Sequence, residues 1–274
     1  MIFSVFTIAG DGRARLLAEE LTAKLKKGGA EVCLLPEGST LPSRQSDAAI
    51  AFGGDGFILA VAGQLTARGQ TPLLGINCGH LGYLASGREV TNETVKRLLE
   101  GDYSVDRRMM LSADFGNGKK AYAINDLTLL RAAQPGENLG ITTIKARCDG
   151  ASLGSYRADG LIVSTPTGST AYALSAGGSV IDPEMRCICL TPVCAHSLTA
   201  RQIVLAPDKT VTLTCSDPKG RSLLCAVDGA YCKDLAPGER VTVRASKKTA
   251  RFICFKDRFF FDTLRKKLTD ESNA

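Results

Sequence analysis

A run of five apolar residues at 48–52 (Ala-Ala-Ile-Ala-Phe) most constrains what this chain can fold into. A strand with one solvent-facing side alternates apolar and polar residues. This run does not alternate, so it predicts a strand buried on both faces of a parallel sheet. It leads directly into the turn 53–56 (Gly-Gly-Asp-Gly), and an apolar helical pattern then continues to Gly69. A strand, a glycine-rich turn and a helix in this order are typical of phosphate-binding sites.

Asp55 is the unexpected residue of this turn, because a carboxylate repels phosphate. Its presence indicates a catalytic base or a metal-associated group beside the phosphates. The alternative is an ordinary turn, since Asp-Gly is a common turn dipeptide. Three more Asp-Gly pairs occur in the chain, at 149–150, 159–160 and 228–229. The tetrapeptide alone leaves both interpretations open.

Strands and helices alternate through residues 1–101. Amphipathic patterns begin after Asp11 and after Thr91 or Asn92, and each ends at a glycine, as helices commonly do. Regular alternation of this kind predicts a parallel α/β domain over 1–101. Ligands of such sheets bind beyond the carboxyl ends of the strands, where the glycine turn and the loop 77–84 both lie. The apolar runs that predict its strands are 2–8, 32–35, 48–52 and 72–76.

From residue 102 the pattern changes to short alternating runs that are separated by Asp-Gly, Pro-Gly and Lys-Gly turns. This change predicts an all-β domain of the sandwich type over 102–255. The tail 256–274 carries an amphipathic helix at 259–268, which we expect to pack back on the first domain. The predicted fold class is therefore an N-terminal parallel α/β domain, a C-terminal β-sandwich domain and a returning tail helix. The alternating runs are 122–124, 143–146, 161–163, 211–214 and 241–244.

Composition argues against several classes of function. No apolar run reaches membrane-spanning length and the N-terminus lacks a signal peptide's basic region, so we expect a cytoplasmic protein without membrane partners. The ten cysteines include no Cys-x-x-Cys and are accompanied by two histidines, which favours reduced thiols over a zinc site. The net charge of +6 is scattered and no nucleic-acid-binding motif is present, so we expect small polyanions as ligands and no nucleic acid.

A second polar segment lies at 164–172, where Ser-Thr-Pro-Thr-Gly-Ser-Thr-Ala-Tyr follows a predicted strand. Small hydroxyl donors at the start of a helix suit an oxygen-rich ligand, and Tyr172 offers a ring face to a base. The alternative is a Ser/Thr-rich helix cap without a ligand role, and composition alone favours the cap.

Together with the glycine turn, this segment resembles the NAD kinase family, and the resemblance covers nearly the whole chain. The turn alone is shared with diacylglycerol and sphingosine kinases and more distantly with phosphofructokinases. The run Thr-Pro-Thr-Gly-Ser-Thr-Ala-Tyr is much more specific to NAD kinases. Further matching segments are Asn77-x-Gly79-x-x-Gly82-Tyr83-Leu84, Asn125-Asp126 and 190–198 (Leu-Thr-Pro-Val-Cys-Ala-His-Ser-Leu).

The resemblance implies transfer of the γ-phosphoryl group of ATP to the 2′-hydroxyl of the adenosine ribose of NAD, giving NADP. A divalent metal ion, normally Mg²⁺, would neutralise the phosphates and keep several waters, so we assign no residue as a metal ligand. The family also implies a homodimer or homotetramer. The sequence leaves open whether polyphosphate replaces ATP, whether NADH is accepted and which nucleotide regulates the enzyme.

Residues at matching positions take the family's roles by analogy. Asp55 would accept the 2′-hydroxyl proton as general base. For Asn125 and Asp126 the alternative to ribose binding is a plain strand-end turn, and for Asp228 a hairpin turn is as good an explanation as a site role. The nucleotide-binding positions are Gly53, Gly54, Asp55 and Gly56 along the phosphates, Tyr83 in the 77–84 motif, Asn125 and Asp126 at ribose hydroxyls, Thr170, Ala171, Tyr172 and Ser175 around adenine and ribose, Arg157 and Asp159 near the nicotinamide and subunit boundary, and Cys194 on the pocket wall.

The chain departs from the family pattern at a few positions. Phe57 stands where a Thr is frequent, so a hydroxyl contact to phosphate is lost, and Tyr83 stands where Phe is usual. Ala230, Ala195 and Gln202 also replace common family residues. Two other functions stay open: a lipid or small-molecule kinase, which would need an apolar groove, and an NAD(P)-binding sensor without turnover, against which the retained Asp55 argues.

Overall fold

The computed structural model describes residues 1–79, 82–116, 118–132, 141–197, 199–255 and 259–270. The chain forms two compact units. Unit 1 comprises Met1–Arg107 together with Ala250–Ala274, and unit 2 comprises Arg108–Thr249.

Unit 1 begins as an alternating α/β structure. Its four strands form a parallel sheet in the order β2-β1-β3-β4, with Val5 beside Leu34 on one side and beside Ile50 on the other. The predicted β-α alternation over 1–101 is therefore confirmed. The elements are β1 (Ile2–Thr7), α1 (Gly12–Lys27), β2 (Glu31–Pro36), β3 (Ala48–Gly53), α2 (Asp55–Arg68), β4 (Leu73–Asn77) and α3 (Asn92–Glu100).

The helix ends follow the predicted caps. The Asp11 carboxylate accepts the backbone N–H groups of Arg13 and Ala14, at 2.9 and 3.0 Å, and so caps α1. The Thr91 hydroxyl caps α3, which ends at Gly101 in the left-handed conformation that glycine favours (φ 69°). β3 is buried along its whole length, as the apolar run predicted, and it contributes Ile50 and Phe52 to the core formed with α1 and α3.

Unit 2 is built mainly of antiparallel strands. Six strands form one sheet in the order β12-β11-β10-β7-β14-β15, and a second layer pairs β9, β8, β13 and β16. The elements that follow α3 in the chain are β5 (Ser104–Asp114), β6 (Lys120–Ala123), β7 (Asp126–Arg131), β8 (Thr142–Cys148), β9 (Ala151–Ala158), β10 (Gly160–Ser164), a 3₁₀ turn (Thr167–Thr170), α4 (Tyr172–Ser175), β11 (Ile188–Val193), β12 (Ile203–Leu205), β13 (Thr210–Cys215), β14 (Leu223–Val227), β15 (Ala230–Leu235), β16 (Arg240–Cys254) and α5 (Phe259–Asp270).

The core of unit 2 lies between its two layers. Leu127 and Leu161 of the six-stranded sheet belong to the same buried cluster as Ile144, Leu213 and Val241 of the other layer. Burial of facing apolar residues from two sheets is what a β-sandwich requires. The predicted fold class, parallel α/β followed by a β-sandwich, is confirmed.

Four of the alternating runs lie wholly in strands, and the fifth, 122–124, extends one residue past β6. Seven strands were not predicted from the sequence patterns. β7 begins with four buried residues and β11 is buried throughout, so neither shows the alternation that marks a half-buried strand. β9 is largely exposed and β12 has three residues, so both have too few apolar positions to give a recognisable strand pattern. The strands in question are β5, β7, β9, β11, β12, β14 and β15.

The division between the units falls inside strands. β5 and β16 each have residues in both units, because the chain divides after Arg107 and after Thr249. Within unit 2, β16 pairs with β13, and within unit 1 its residue Phe252 pairs with Leu73 of β4. The boundaries suggested by composition, at 101 and 255, instead coincide with the ends of α3 and β16, where the local sequence pattern changes.

The tail helix α5 belongs to unit 1. The ring centroid of Phe260 lies 6.1 Å from that of Tyr83, and the Lys267 ammonium lies 4.4 Å from the Tyr83 centroid. The predicted return of the tail helix to the first domain is confirmed. Within the described ranges no helix is long and apolar enough to cross a membrane. None of the ten cysteines, all of which fall in described residues, forms a disulfide.

Candidate functional site

The glycine turn places exposed backbone at the start of a long helix. β3 ends at Gly53 and α2 begins at Asp55, with Gly54 as an N-cap that has no side chain to occupy the first amides of the helix. Gly54 and Gly56 are both exposed. The N-terminus of α2 therefore offers backbone donors and a partial positive charge to an anionic ligand.

The Asp55 carboxylate is held by the loop that follows β4. Tyr83 donates its backbone N–H to Oδ2 at 2.6 Å, and Leu84 donates to Oδ1 at 3.3 Å. A Cβ atom at Gly82 would lie 1.9 Å from Oδ1, so only glycine allows this approach. Each carboxylate oxygen keeps a second acceptor position, so the group is oriented and still able to take a proton.

Phe57 packs against the turn. A Cβ atom at Gly53 would lie 2.7 Å from Cδ1 of the Phe57 ring, which covers this glycine closely. The ring has no hydroxyl to offer a phosphate, as the sequence indicated. Its observed contact is with the backbone that leads into Asp55.

Asn77, at the end of β4, was part of a sequence motif but received no role. Its side chain is 1% exposed, and its Oδ1 accepts the N–H of Gly79 at 2.8 Å. Its Nδ2 has no hydrogen-bond partner within the part of the chain that the structure describes. Leaving a buried amide donor unpaired costs about 1–3 kcal/mol, so this group is a candidate ligand contact.

In unit 2, Asp228 organises the segment that carries Asn125 and Asp126. It lies in the two-residue turn of the β14–β15 hairpin, where it and Gly229 both have positive φ (48° and 77°). Its carboxylate accepts the N–H groups of Ile124, Asn125 and Asp126 at 2.8, 2.8 and 3.1 Å. The hairpin interpretation of Asp228 is therefore correct but incomplete, because its side chain also holds the backbone of the candidate ribose-binding residues. Asp at such a turn is common, so nothing in the sequence pointed to this contact.

The Asp126 carboxyl group is 5% exposed. Burial, and secondarily the negative charge of Asp228, raises the pKa of Asp126 to about 7. The pKa of Asp228 is also raised by burial, although its three backbone donors act in the opposite direction. The buried Asp126 carboxyl and the half-buried Asp228 carboxylate thus lie together beside the 124–126 segment, and the pKa of Asp126 is near neutral.

The hydroxyl-rich run 164–172 proves to be mainly a scaffold. Thr165 donates its hydroxyl proton to the Ile124 carbonyl at 2.6 Å, and Ser169 donates to the Pro166 carbonyl at 2.6 Å. Thr170 donates to the Thr167 carbonyl at 3.1 Å. A Cβ atom at Gly168 would lie 2.2 Å from the Asn125 carbonyl oxygen. These hydroxyls are therefore satisfied by backbone carbonyls, although neither the 3₁₀ turn nor α4 has a side-chain cap. The run thus supports the 124–126 segment from a second side.

The candidate adenine residues follow this scaffold. Tyr172 opens α4 with 39% of its surface exposed, and Ser175 ends this short helix, also exposed. Thr170 and Ala171 are half-buried. The exposed Tyr172 ring is available to stack on a base.

Arg157, Asp159 and Cys194 lie at the opposite end of β10. Ser164 pairs with Asp126 at one end of this strand, whereas Gly160 pairs with Val193 at the other. The Asp159 N–H donates to the Val193 carbonyl at 3.0 Å, and its carboxylate pairs with Arg131 at 3.3 Å. Five strand residues span about 13–16 Å. The predicted residues of unit 2 thus form two groups.

The fold and the candidate sites indicate a class of protein. One unit presents a carboxylate at a phosphate-binding type of turn. The other presents the buried Asp126 carboxyl beside the half-buried Asp228, and the exposed Tyr172 ring, at one end of β10. In the described ranges no three His, Cys, Asp or Glu side chains converge as a metal cluster. Together these features define an α/β plus β-sandwich protein suited to nucleotides.

Comparison with known proteins identifies the family. The model of the ATP-NAD kinase N-terminal domain matches residues 36–103, and that of the ATP-NAD kinase C-terminal domain matches residues 125–255. The chain is 35% identical to the NAD kinase of Chlorobium phaeobacteroides, over 98% of this chain and 96% of the relative. It is 34% identical to NAD kinase 1 of a Synechococcus species, over 95% and 92%. The chain belongs to the ATP-NAD kinase family.

Solved structures agree with this assignment. Yeast NADH kinase complexed with NADH superposes with a TM-score of 0.86 over 98% of this chain and 87% of that chain, at 21% identity, which establishes the fold. An NAD kinase from Archaeoglobus fulgidus in complex with ATP gives a TM-score of 0.77 over 96% and 98%, at 25% identity.

Asp228→Asn should destabilise the protein, because an amide cannot present two acceptor oxygens to three N–H donors. We expect a loss of about 1–3 kcal/mol in the free energy of unfolding, measured by chemical denaturation. The matched control is Asp149→Asn, in the corresponding turn of the β8–β9 hairpin. Exposed Asp149 accepts one backbone N–H, from Thr210 at 2.9 Å, and pairs with Lys209, so this variant should lose clearly less stability than Asp228→Asn. Equal losses of unfolding free energy in the two variants would show that the hydrogen bonds from the three amides of 124–126 add no stability.

Asp126→Asn should change how stability depends on pH. The pKa of Asp126 is about 7 in the folded chain against 3.8 as its ordinary value, so between these values the unfolded state releases a proton that the folded state retains. Stability of the native protein therefore falls as pH rises through this window and levels off above it. The stability difference, native minus variant, should decrease by up to about 4 kcal/mol between pH 4 and pH 8. A difference that is constant with pH would contradict the buried, late-titrating carboxyl.

Proposed function

We propose that this chain transfers the γ-phosphoryl group of ATP to the 2′-hydroxyl of the adenosine ribose of NAD, producing NADP, with Asp55 as general base. Family membership supports the reaction. The observation that carries the role of Asp55 is the fixed carboxylate at the start of α2, held by the amides of Tyr83 and Leu84.

The chemistry needs a base because a ribose hydroxyl is a weak nucleophile. In the step, the 2′-oxygen forms a bond to Pγ, the bond between Pγ and the β–γ bridging oxygen breaks, and ADP leaves. The hydroxyl proton passes to an oxygen of Asp55. A positioned general base contributes on the order of 10²- to 10⁴-fold to such a rate.

Unit 1 would bind the phosphates. Gly54 and Gly56 are exposed and leave the backbone at the start of α2 open to a ligand, while Gly53 leads into the turn under the Phe57 ring. A helix N-terminus favours anions. The unpaired Nδ2 of Asn77 would donate to a ligand oxygen, which would remove the cost of its burial.

Unit 2 would bind the dinucleotide. Asn125 and Asp126 would hydrogen-bond ribose hydroxyls, and the exposed Tyr172 ring would stack on adenine beside Thr170, Ala171 and Ser175. Arg157, Asp159 and Cys194, at the other end of β10, would serve the nicotinamide end. The spacing along β10 supports this division, since a dinucleotide places its two nucleosides on either side of a pyrophosphate.

Mg²⁺ fits this donor set when it arrives with ATP. Mg²⁺ usually keeps several waters and binds substrate phosphates with one or two carboxylates, and the described residues present no cage of three or more metal-binding side chains. Asp55 is the carboxylate at the glycine turn that would face it, directly or through water. When bound, the ion neutralises phosphate charge.

Two further proposals concern the cellular setting and assembly. Ten cysteines without a disulfide support a reducing compartment, the cytoplasm. β9 ends its layer as an edge strand with five of its eight residues exposed, and such edges readily pair with another chain, which supports a homodimer or homotetramer.

The first experiment measures NADP formation from NAD with ATP and Mg²⁺, with polyphosphate replacing ATP in a parallel reaction. Product with either donor would support the proposal and identify the phosphoryl donor. Binding of NAD without product would favour a sensor that has lost turnover.

Asp55→Asn should lower kcat at least about 100-fold while NAD affinity changes less than about twofold, because the amide keeps the shape and loses the base. Asp149→Asn, at an exposed Asp-Gly turn, is the matched control and should retain activity. Comparable turnover by the Asp55 variant would remove Asp55 from the role of base.

A further inference from the structure

We infer that the tail helix α5 positions the catalytic carboxylate: Phe260 and Lys267 hold the ring of Tyr83, and the backbone of Tyr83 holds Asp55. Phe260 and Lys267 would thus be positioning residues. The catalytic consequence of this inference rests on the role proposed for Asp55, whereas the contact itself can be tested without any activity.

Tyr83 contacts Asp55 through its backbone and α5 through its ring. Its backbone N–H makes the shorter of the two hydrogen bonds to Asp55, at 2.6 Å, while Leu84 donates at 3.3 Å. Its ring contacts α5. A displacement of the ring therefore moves the donor on which the carboxylate depends most.

The helix contacts this ring at two points. Phe260 packs with its centroid 6.1 Å away at an interplanar angle of 41°, and the Lys267 Nζ lies 4.4 Å from the ring centroid. Residues seven apart on an α-helix lie on the same face, two turns from each other. An ammonium at this distance is attracted to the aromatic ring. One face of α5 thus contacts the Tyr83 ring through an apolar ring and a cation.

Residues 84–86, which follow Tyr83, are anchored to the sheet. Ser86 donates its backbone N–H to the Gly75 carbonyl at 2.9 Å, and Leu84 and Ala85 are buried. Gly75 is packed so closely that a Cβ atom there would lie 3.0 Å from the Leu84 carbonyl oxygen. Leu84 therefore has support from β4. Tyr83, one residue earlier, is half-exposed, and the ring contacts just described tie it to α5.

The contact between α5 and Tyr83 joins segments that are far apart in the chain. α5 lies about 180 residues after Tyr83, and in the chain it follows the four parallel strands of unit 1 and all of unit 2. The geometry of Asp55 thus depends on a helix that is distant in sequence. Misplacement of a catalytic group by about 1 Å can cost 10²-fold in rate, so a modest shift of the Tyr83 amide is enough to matter.

The direct test is hydrogen exchange at the Tyr83 and Leu84 amides, followed by NMR on the full-length protein. Lys267→Met and Phe260→Leu should each speed exchange of the Tyr83 amide about three- to tenfold, the effect expected from losing one such ring contact. Lys267→Arg keeps a cation over the ring and should restore the native rate. Lys96→Met, at an exposed lysine of α3, controls for removal of a charge.

Amides of β1 serve as the internal reference for global stability. Faster exchange at Tyr83 with native exchange in β1 supports the inference. Native exchange at Tyr83 in both the Lys267→Met and Phe260→Leu proteins overturns it, whether or not the chain is a kinase. Equal acceleration at Tyr83 and in β1 also overturns it, because the variants would then act only on overall stability.

Kinetics test the catalytic consequence. Lys267→Met should lower kcat about three- to tenfold while KM for NAD and for ATP stays within about twofold, and Lys267→Arg should recover kcat. An unchanged kcat despite faster Tyr83 exchange overturns the catalytic part of the inference. Failure of the proposed function is seen separately, as full activity of Asp55→Asn or no NADP from the native protein, and the exchange result still decides the contact.

Discussion

Both candidate sites depend on carboxylates that are held by backbone amides. Asp55 accepts two N–H groups from the 83–84 segment, and Asp228 accepts three from 124–126. Backbone donors cannot rotate away from their peptide planes, so they orient a carboxylate more firmly than flexible side chains would. Glycine makes the first approach possible, because a Cβ at Gly82 would overlap Asp55. Gly168 plays a similar part for the neighbouring turn, where a Cβ would overlap the Asn125 carbonyl.

The two carboxylates differ in how accessible they are to a ligand. Asp55 lies half-exposed at a helix N-terminus, where its charge is favourable and a ligand can reach it. The carboxylate of Asp228 is instead engaged by the backbone N–H groups of residues 124–126. Beside it, Asp126 is buried and its pKa is near neutral, so it can meet a ribose hydroxyl as either a donor or an acceptor of a hydrogen bond. The same side-chain type thus holds backbone amides at Asp228, whereas the roles proposed for Asp55 and Asp126, a base and a ribose-binding group, depend on their different surroundings.

Local sequence patterns predicted the parts of the fold that local physics determines. The buried run of β3, the Asp11 and Thr91 caps and the Gly101 stop each depend on neighbouring residues, and each is present as expected. The patterns missed β7 and β11, because a strand buried by two layers loses its alternation. The patterns also suggested a ligand role for hydroxyls in 164–172. In the structure three of these hydroxyls donate to the carbonyls of Ile124, Pro166 and Thr167.

The sequence by itself determined the two-part fold class, the family and the identity of the carboxylate at the glycine turn. These follow from periodicity and from motifs that are contiguous in the chain. Only the tertiary structure showed that Asp228 holds 124–126, that Asn77 has an unpaired buried amide and that α5 contacts Tyr83 beside Asp55. Such contacts join residues about 100 to 180 positions apart, and no local pattern encodes which distant backbone amide or ring a side chain will meet.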